Sequence, residues 1–181
     1  GNLTVAEVRL LKMEQREQCL KRCLSGTLKN YDYILIDCPP SLNMLTVNAL
    51  VAADSVLIPI QCEYYALEGL TSLLGNIERI RQAVNPALQL EGLLRTMYDG
   101  RNRLTKEVSE QLLSHFENKV YHTVIPRNVR LAEAPSHGIP IIAYEKASQG
   151  ASAYLALAGE LLRRHQRSKE PLEPVVEGVN V

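Results

Sequence analysis

The sequence has no apolar run near the roughly 20 residues that span a bilayer, its apolar stretches being short ones such as Ile34 to Ile36. A soluble, cytosolic protein is the expectation. Neither sign of charge is in excess: 20 Lys and Arg face 20 Asp and Glu, so binding to nucleic acid would require a local basic patch. Cysteine is scarce. Cys19, Cys23, Cys38 and Cys62 form no disulfide-type framework and read as free thiols in a reducing compartment. Cys19 and Cys23 stand four apart, but no second Cys/His pair follows at zinc-site spacing. His115 and His122 also lack partners at ligand spacing, and His137 has no nucleophile to pair with, which argues against Ser/His hydrolase chemistry. There is no internal repeat. What remains is a chain of 181 residues with 46% apolar content, enough for one ordinary domain with a substantial core.

Helical and strand periods alternate along that chain. Leu20, Cys23, Leu24 and Leu28 recur at helical spacing and predict a half-buried helix between Glu14 and Leu28. Tyr33 to Ile36 is a short run of strand formers ended by Asp37 and two prolines, which predicts a buried strand with a carboxylate at its tip. Leu42 to Ala53 predicts a helix, and Ser55 to Ile60 a strand. Leu67, Leu70, Leu73, Leu74, Ile77, Ile80 and Val84 hold a 3.6-residue period until Asn85-Pro86 stops it. Beyond that, strands are expected at 90–97, 120–125 and 139–143, with helices at 104–116 and 151–165. Residues 166–181 lack periodicity and read as a flexible tail after a domain of residues 1–165. The alternation implies an α/β fold, a mostly parallel sheet with helices on both faces, whose ligands sit beyond the strand C-termini.

Asp37 lies at such an edge, where a carboxylate can hold Mg²⁺ or a metal-bound water beside nucleotide phosphates. An aspartate at a strand tip can equally cap the turn that follows. The surrounding string decides between them. Tyr31 to Ser41 reads YDYILIDCPPS and closely resembles the switch II segment of the ParA/Soj partition ATPases, deviant-Walker P-loop NTPases of the MinD/ParA superfamily. Gln61 to Leu70 (QCEYYALEGL), Thr123 to Asn128 (TVIPRN) and Leu131 to Ile141 (LAEAPSHGIPI) resemble further family segments in the same order. The resemblance runs from Leu3 to Arg164 and is nearer to chromosomal ParA/Soj than to the MinD or nitrogenase iron-protein branches.

The resemblance implies a P-loop NTPase-like fold and gives roles to particular residues. Asp37 becomes the switch II (Walker B) aspartate, touching Mg²⁺ through water, with Cys38, Pro39 and Pro40 forming a stiff turn beside the γ-phosphate. Pro126 and Asn128 would lie against the adenine of ATP, where an amide can read donor and acceptor edges. Arg101 and Arg130 would bind DNA nonspecifically, joined by Arg103, Lys106 and Arg127. Tyr64 and Tyr65, in a loop that lies near nucleotide and partner subunit in relatives, receive no chemistry. The family works as a cytoplasmic, nucleoid-associated homodimer that uses ATP and Mg²⁺ and answers to a ParB/Spo0J-type partner. A MinD-like membrane cycle is disfavoured because the tail lacks a basic amphipathic helix.

One family feature is missing. ParA-like ATPases carry a KGGVGKTT-type loop that grips the phosphates, yet no G-x-x-x-x-G-K-[ST] string occurs and none of the ten glycines precedes a Lys-Ser or Lys-Thr pair. The expectation is a chain without the N-terminal P-loop strand, exposing sheet edges beside Asp37 and unable to hydrolyse ATP or to hold ATP and Mg²⁺ tightly. The alternative to a partition ATPase is then a catalytically inactive module that binds DNA or a partner.

Overall fold

A computed structural model of the chain describes residues 3–39 and 41–167. It divides into two compact units, Gly1–Leu93 and Leu94–Val181. The first holds α1 (Leu3–Leu10), α2 (Cys19–Leu24), α3 (Met44–Ala52), β1 (Ser55–Gln61) and α4 (Ala66–Ala83). Strand β2 (Gln89–Tyr98) contains the boundary. The second unit holds α5 (Arg103–Phe116), β3 (Val120–Pro126), α6 (Val129–Glu133), α7 (Ile141–Tyr144) and α8 (Gln149–Arg167). The described strands form a parallel sheet in the order β1-β2-β3, flanked by helices.

Two asparagine side chains set the limits of α3. Asn43 starts α3 by accepting the Thr46 amide at 3.0 Å, satisfying one donor that a helix N-terminus leaves open. Asn85 closes the other end: its Nδ2 donates to the Leu50 and Ala53 carbonyls, both at 2.9 Å. The same residue follows the end of α4, so the stop signal at Asn85 also ties two helices together. Apolar positions Leu70, Ile77 and Ile80 of α4 are buried as its period requires, as are Ile58 and Ile60 of β1.

In the second unit α5 and α8 pack on β3. Leu112 of α5 and Tyr121 of β3 are fully buried, each such side chain contributing about 1.5–3 kcal/mol of transfer free energy. Leu131 and Tyr144 pack on a small cluster of Ala134, Ile141 and Ala151.

Three expectations are corrected. Tyr33 to Ile36 is not a strand; a strand exists through the ladder of a neighbour, and the sheet of the described residues comprises β1, β2 and β3. Leu35 is consequently 88% exposed. The helix expected from Glu14 to Leu28 is broken up: Gln15 takes a left-handed φ of 50°, and the carboxamide of Asn48 accepts the Leu20 amide at 3.1 Å, fixing the start of α2 at Cys19. The strand expected at 139–143 is a helical turn, because Pro140 acts as its N-cap and accepts the amides of Ala143 and Tyr144 at 2.9 Å. The tail expected from 166 onward lies outside the described residues except for Gln166 and Arg167, which continue α8.

Candidate functional site

Asp37 and its turn belong to the first unit. Asp37 is exposed, as are Cys38 and Pro39, while Pro40 lies outside the described residues. The Cys38 thiol donates to the Ile36 carbonyl at 3.7 Å. Burial, and secondly the adjacent Asp37 carboxylate, push that thiol up from its ordinary value, so it is a poor thiolate at neutral pH. Among the described residues no three His, Cys, Asp or Glu side chains cluster as a metal site. Asp37 is an exposed carboxylate, a donor type that Mg²⁺ takes together with phosphates and water, since that ion rarely uses an all-protein cage.

The other sequence-derived residues gather in the second unit, at the C-terminal ends of β2 and β3. The Arg127 amide donates to the Tyr98 carbonyl at 3.0 Å, which joins the turn after β2, carrying Arg101, to the turn after β3, which carries Arg127 and leads into α6 with Arg130. Just before the first turn Met97 has a φ of 50°, a left-handed conformation that costs a non-glycine residue about 1 kcal/mol. Such strain is concentrated at functional turns. Pro126 closes β3, and Asn128 caps α6 by accepting the Arg130 amide at 3.0 Å. A carboxamide that caps through one oxygen lone pair still has a second lone pair and two N–H donors to offer.

Three arginines here, Arg101, Arg103 and Arg130, are held by carboxylates. Arg101 forks Asp99 through Nε at 3.0 Å and Nη2 at 2.9 Å, and its amide binds the same carboxylate at 3.0 Å. Those bonds, with the charge of Arg127 nearby, hold Asp99 down at about 2. Arg103 pairs with Glu107 at 2.7 Å, and Arg130 with Glu133 at 2.8 Å. The Tyr144 hydroxyl also donates to Glu133 at 3.2 Å, and the His137 ring stacks on Tyr144 with centroids 4.8 Å apart. His137 is therefore part of a packed turn. Tyr64 and Tyr65 meet edge to face at 4.9 Å and are 75% and 73% exposed.

Sequence reasoning missed the buried polar groups that support this face. Glu160 of α8, 6% exposed, accepts the His122 and Thr123 amides at 2.9 and 2.8 Å and the Arg164 guanidinium at 2.8 Å. Burial opposes its ionisation, yet the bonds from Thr123, His122 and Arg164 hold it at about 2. Arg164 also donates to the carbonyls of Asn118 and Val120 and lies over the Tyr121 ring at 4.0 Å. From β2, buried Arg95 reaches Ser109 at 2.9 Å and the Tyr121 carbonyl at 3.0 Å. The i,i+4 spacing of Glu160 and Arg164 was a visible signal; their burial was not.

A family model described as an AAA domain matches residues 1–90. The sporulation initiation inhibitor protein Soj of Bacillus subtilis is 55% identical over 159 residues, covering 88% of this chain and 63% of Soj. The chromosome partitioning protein ParA of Myxococcus xanthus is 52% identical over 163 residues, covering 90% of this chain and 58% of that protein. This chain therefore spans about 60% of the length of these relatives. Among solved structures, a cobyrinic acid a,c-diamide synthase of Mycobacterium smegmatis with bound ADP and magnesium superposes with a TM-score of 0.74 at 36% identity, covering 92% of this chain and 61% of the synthase. Relatives named as partition proteins at 52–55% identity show that the chain belongs to the ParA/Soj family of partition ATPases.

Proposed function

We propose that the chain supplies the switch, base-reading and DNA-gripping parts of an ATPase that segregates DNA. The observation that carries this is the joined pair of turns after β2 and β3, which sets Arg101, Arg127 and Arg130 on one strand-end face with Asn128 among them. Guanidinium groups on such a face suit phosphate oxygens without reading sequence. In this reading Asn128 and Pro126 would hold the adenine of ATP, and the exposed Asp37 carboxylate would be a ligand for Mg²⁺ through water. Bound Mg-ATP would supply the phosphoryl group and the charge that orders switch II. Pro39, with its fixed φ, would stiffen the turn that follows Asp37. The ATP-bound protein is a cytoplasmic homodimer on the nucleoid, answering to a ParB-type partner.

The phosphate-gripping loop of the family is not within these 181 residues, so we expect no ATP turnover from this chain by itself. The test is a chain extended by the family's P-loop segment, assayed for hydrolysis with and without DNA. Stimulated turnover that disappears in Asp37→Ala is expected. No turnover in the extended chain would sink the enzyme assignment.

A second reading is a module that binds DNA without nucleotide. It is favoured by the arginine face lying wholly within the second unit. Salt titration of DNA binding by the 181-residue chain without ATP separates the two: clear binding at low salt, weakened in Arg101→Ala/Arg130→Ala, supports the module.

A further inference from the structure

The two arginines proposed to grip DNA are each occupied by a carboxylate of their own turn. Arg101 presents Nε and Nη2 to Asp99 at 3.0 and 2.9 Å, the same pair of N–H groups with which a guanidinium forks a phosphate. Arg130 presents Nη1 to Glu133 at 2.8 Å. Both carboxylates accept a further hydrogen bond besides those from the arginine side chain. The Arg101 amide holds Asp99 at 3.0 Å, and the Tyr144 hydroxyl, backed by the His137 ring, holds Glu133 at 3.2 Å. Neither acid can swing away freely when its arginine leaves.

We propose that Asp99 and Glu133 are built-in competitors of DNA phosphate, which set the affinity of the arginine face by keeping its guanidinium groups engaged until a phosphate displaces them. This rests on the DNA-binding reading of Arg101 and Arg130. A phosphate arriving at either arginine gains an ion pair only by ending one, and it then lies beside a retained negative charge. The result is weak, quickly reversible contact, the behaviour suited to a protein that binds DNA of any sequence. The side chains of Arg101 and Asp99 are 92% and 31% exposed, so screening keeps each effect moderate. Release of one carboxylate charge corresponds to about a 2- to 5-fold gain in affinity, the range of a surface ion pair.

The experiment measures binding of a random-sequence duplex to the extended, ATP-bound protein at fixed salt. Asp99→Asn and Glu133→Gln keep the acceptor oxygens that the Arg101 amide and the Tyr144 hydroxyl use, so the turns remain capped. Each is expected to tighten binding 2- to 5-fold, and the double variant by the product. Glu78→Gln removes a carboxylate from the Arg81 pair on α4 and reports the effect of net charge alone; it is expected to leave affinity within 1.5-fold. In an Arg101→Ala background the gain from Asp99→Asn should fall to the Glu78→Gln level. If Arg101→Ala/Arg130→Ala binds DNA as well as the parent, the DNA reading itself fails. If that variant is weakened but the Asn and Gln variants bind no tighter than Glu78→Gln, the DNA reading stands and the competitor role is refuted.

Discussion

Removing the charge of Glu160 should cost more stability than any other single polar substitution in the second unit. The carboxylate holds two β3 amides and Arg164 at 2.8–2.9 Å from a site that is 6% exposed. A carboxyl held at about 2 against an ordinary 4.5 corresponds to about 3 kcal/mol of stabilisation of the folded state. Because the folded value is the depressed one, this contribution is complete above about pH 4.5 and drains away as pH falls towards 2. Glu160→Gln retains the shape, loses the charge and turns an N–H group towards one of the two amides. Urea unfolding of the 181-residue chain should therefore show a loss of about 3 kcal/mol at pH 7. At pH 3 less than half of that difference should remain, since the parent is losing the same contribution. A difference below about 0.5 kcal/mol at pH 7, or one that does not change between pH 7 and pH 3, would refute the role given to this carboxylate.

Asn85→Ala should lower stability by about 1–3 kcal/mol, because the Leu50 and Ala53 carbonyls lose their shared donor; thermal melts should fall by about 2–4 °C for each kcal/mol. Arg101→Ala/Arg130→Ala should weaken DNA binding for every sequence alike and reduce the slope of log affinity against log salt by about 2. A change that depended on DNA sequence would contradict a purely phosphate-gripping face.

The elements most legible in the sequence are those whose period is set by their own burial. Helix α4 keeps one apolar face for five turns, and β1, β2 and β3 are apolar runs ended by turn residues, so local pattern sufficed. Where a partner decides, pattern was misleading. Tyr33 to Ile36 has the composition of a buried strand but no place in the β1-β2-β3 ladder, and composition cannot supply the neighbour. The break between α1 and α2 depends on Asn48, 28 residues beyond Leu20. Arg101 and Arg130 were legible only through the resemblance, and their engagement by Asp99 and Glu133 is local enough to have been suspected from i,i+2 and i,i+3 spacing. The burial of Glu160 and Arg95 left no mark in the pattern, because nothing in a linear sequence reports that an ion has been enclosed with its hydrogen-bond partners.

Under the proposed function, Asp37 senses the nucleotide and the arginines after β2 and β3 bind DNA. The most direct measurement is DNA affinity of the P-loop-extended protein with ATP and with ADP, for the parent and for Asp37→Ala. The account predicts tighter binding with ATP than with ADP in the parent and no such difference in Asp37→Ala. Equal affinity with ATP and ADP in the parent, or an undiminished ATP effect in Asp37→Ala, would contradict it.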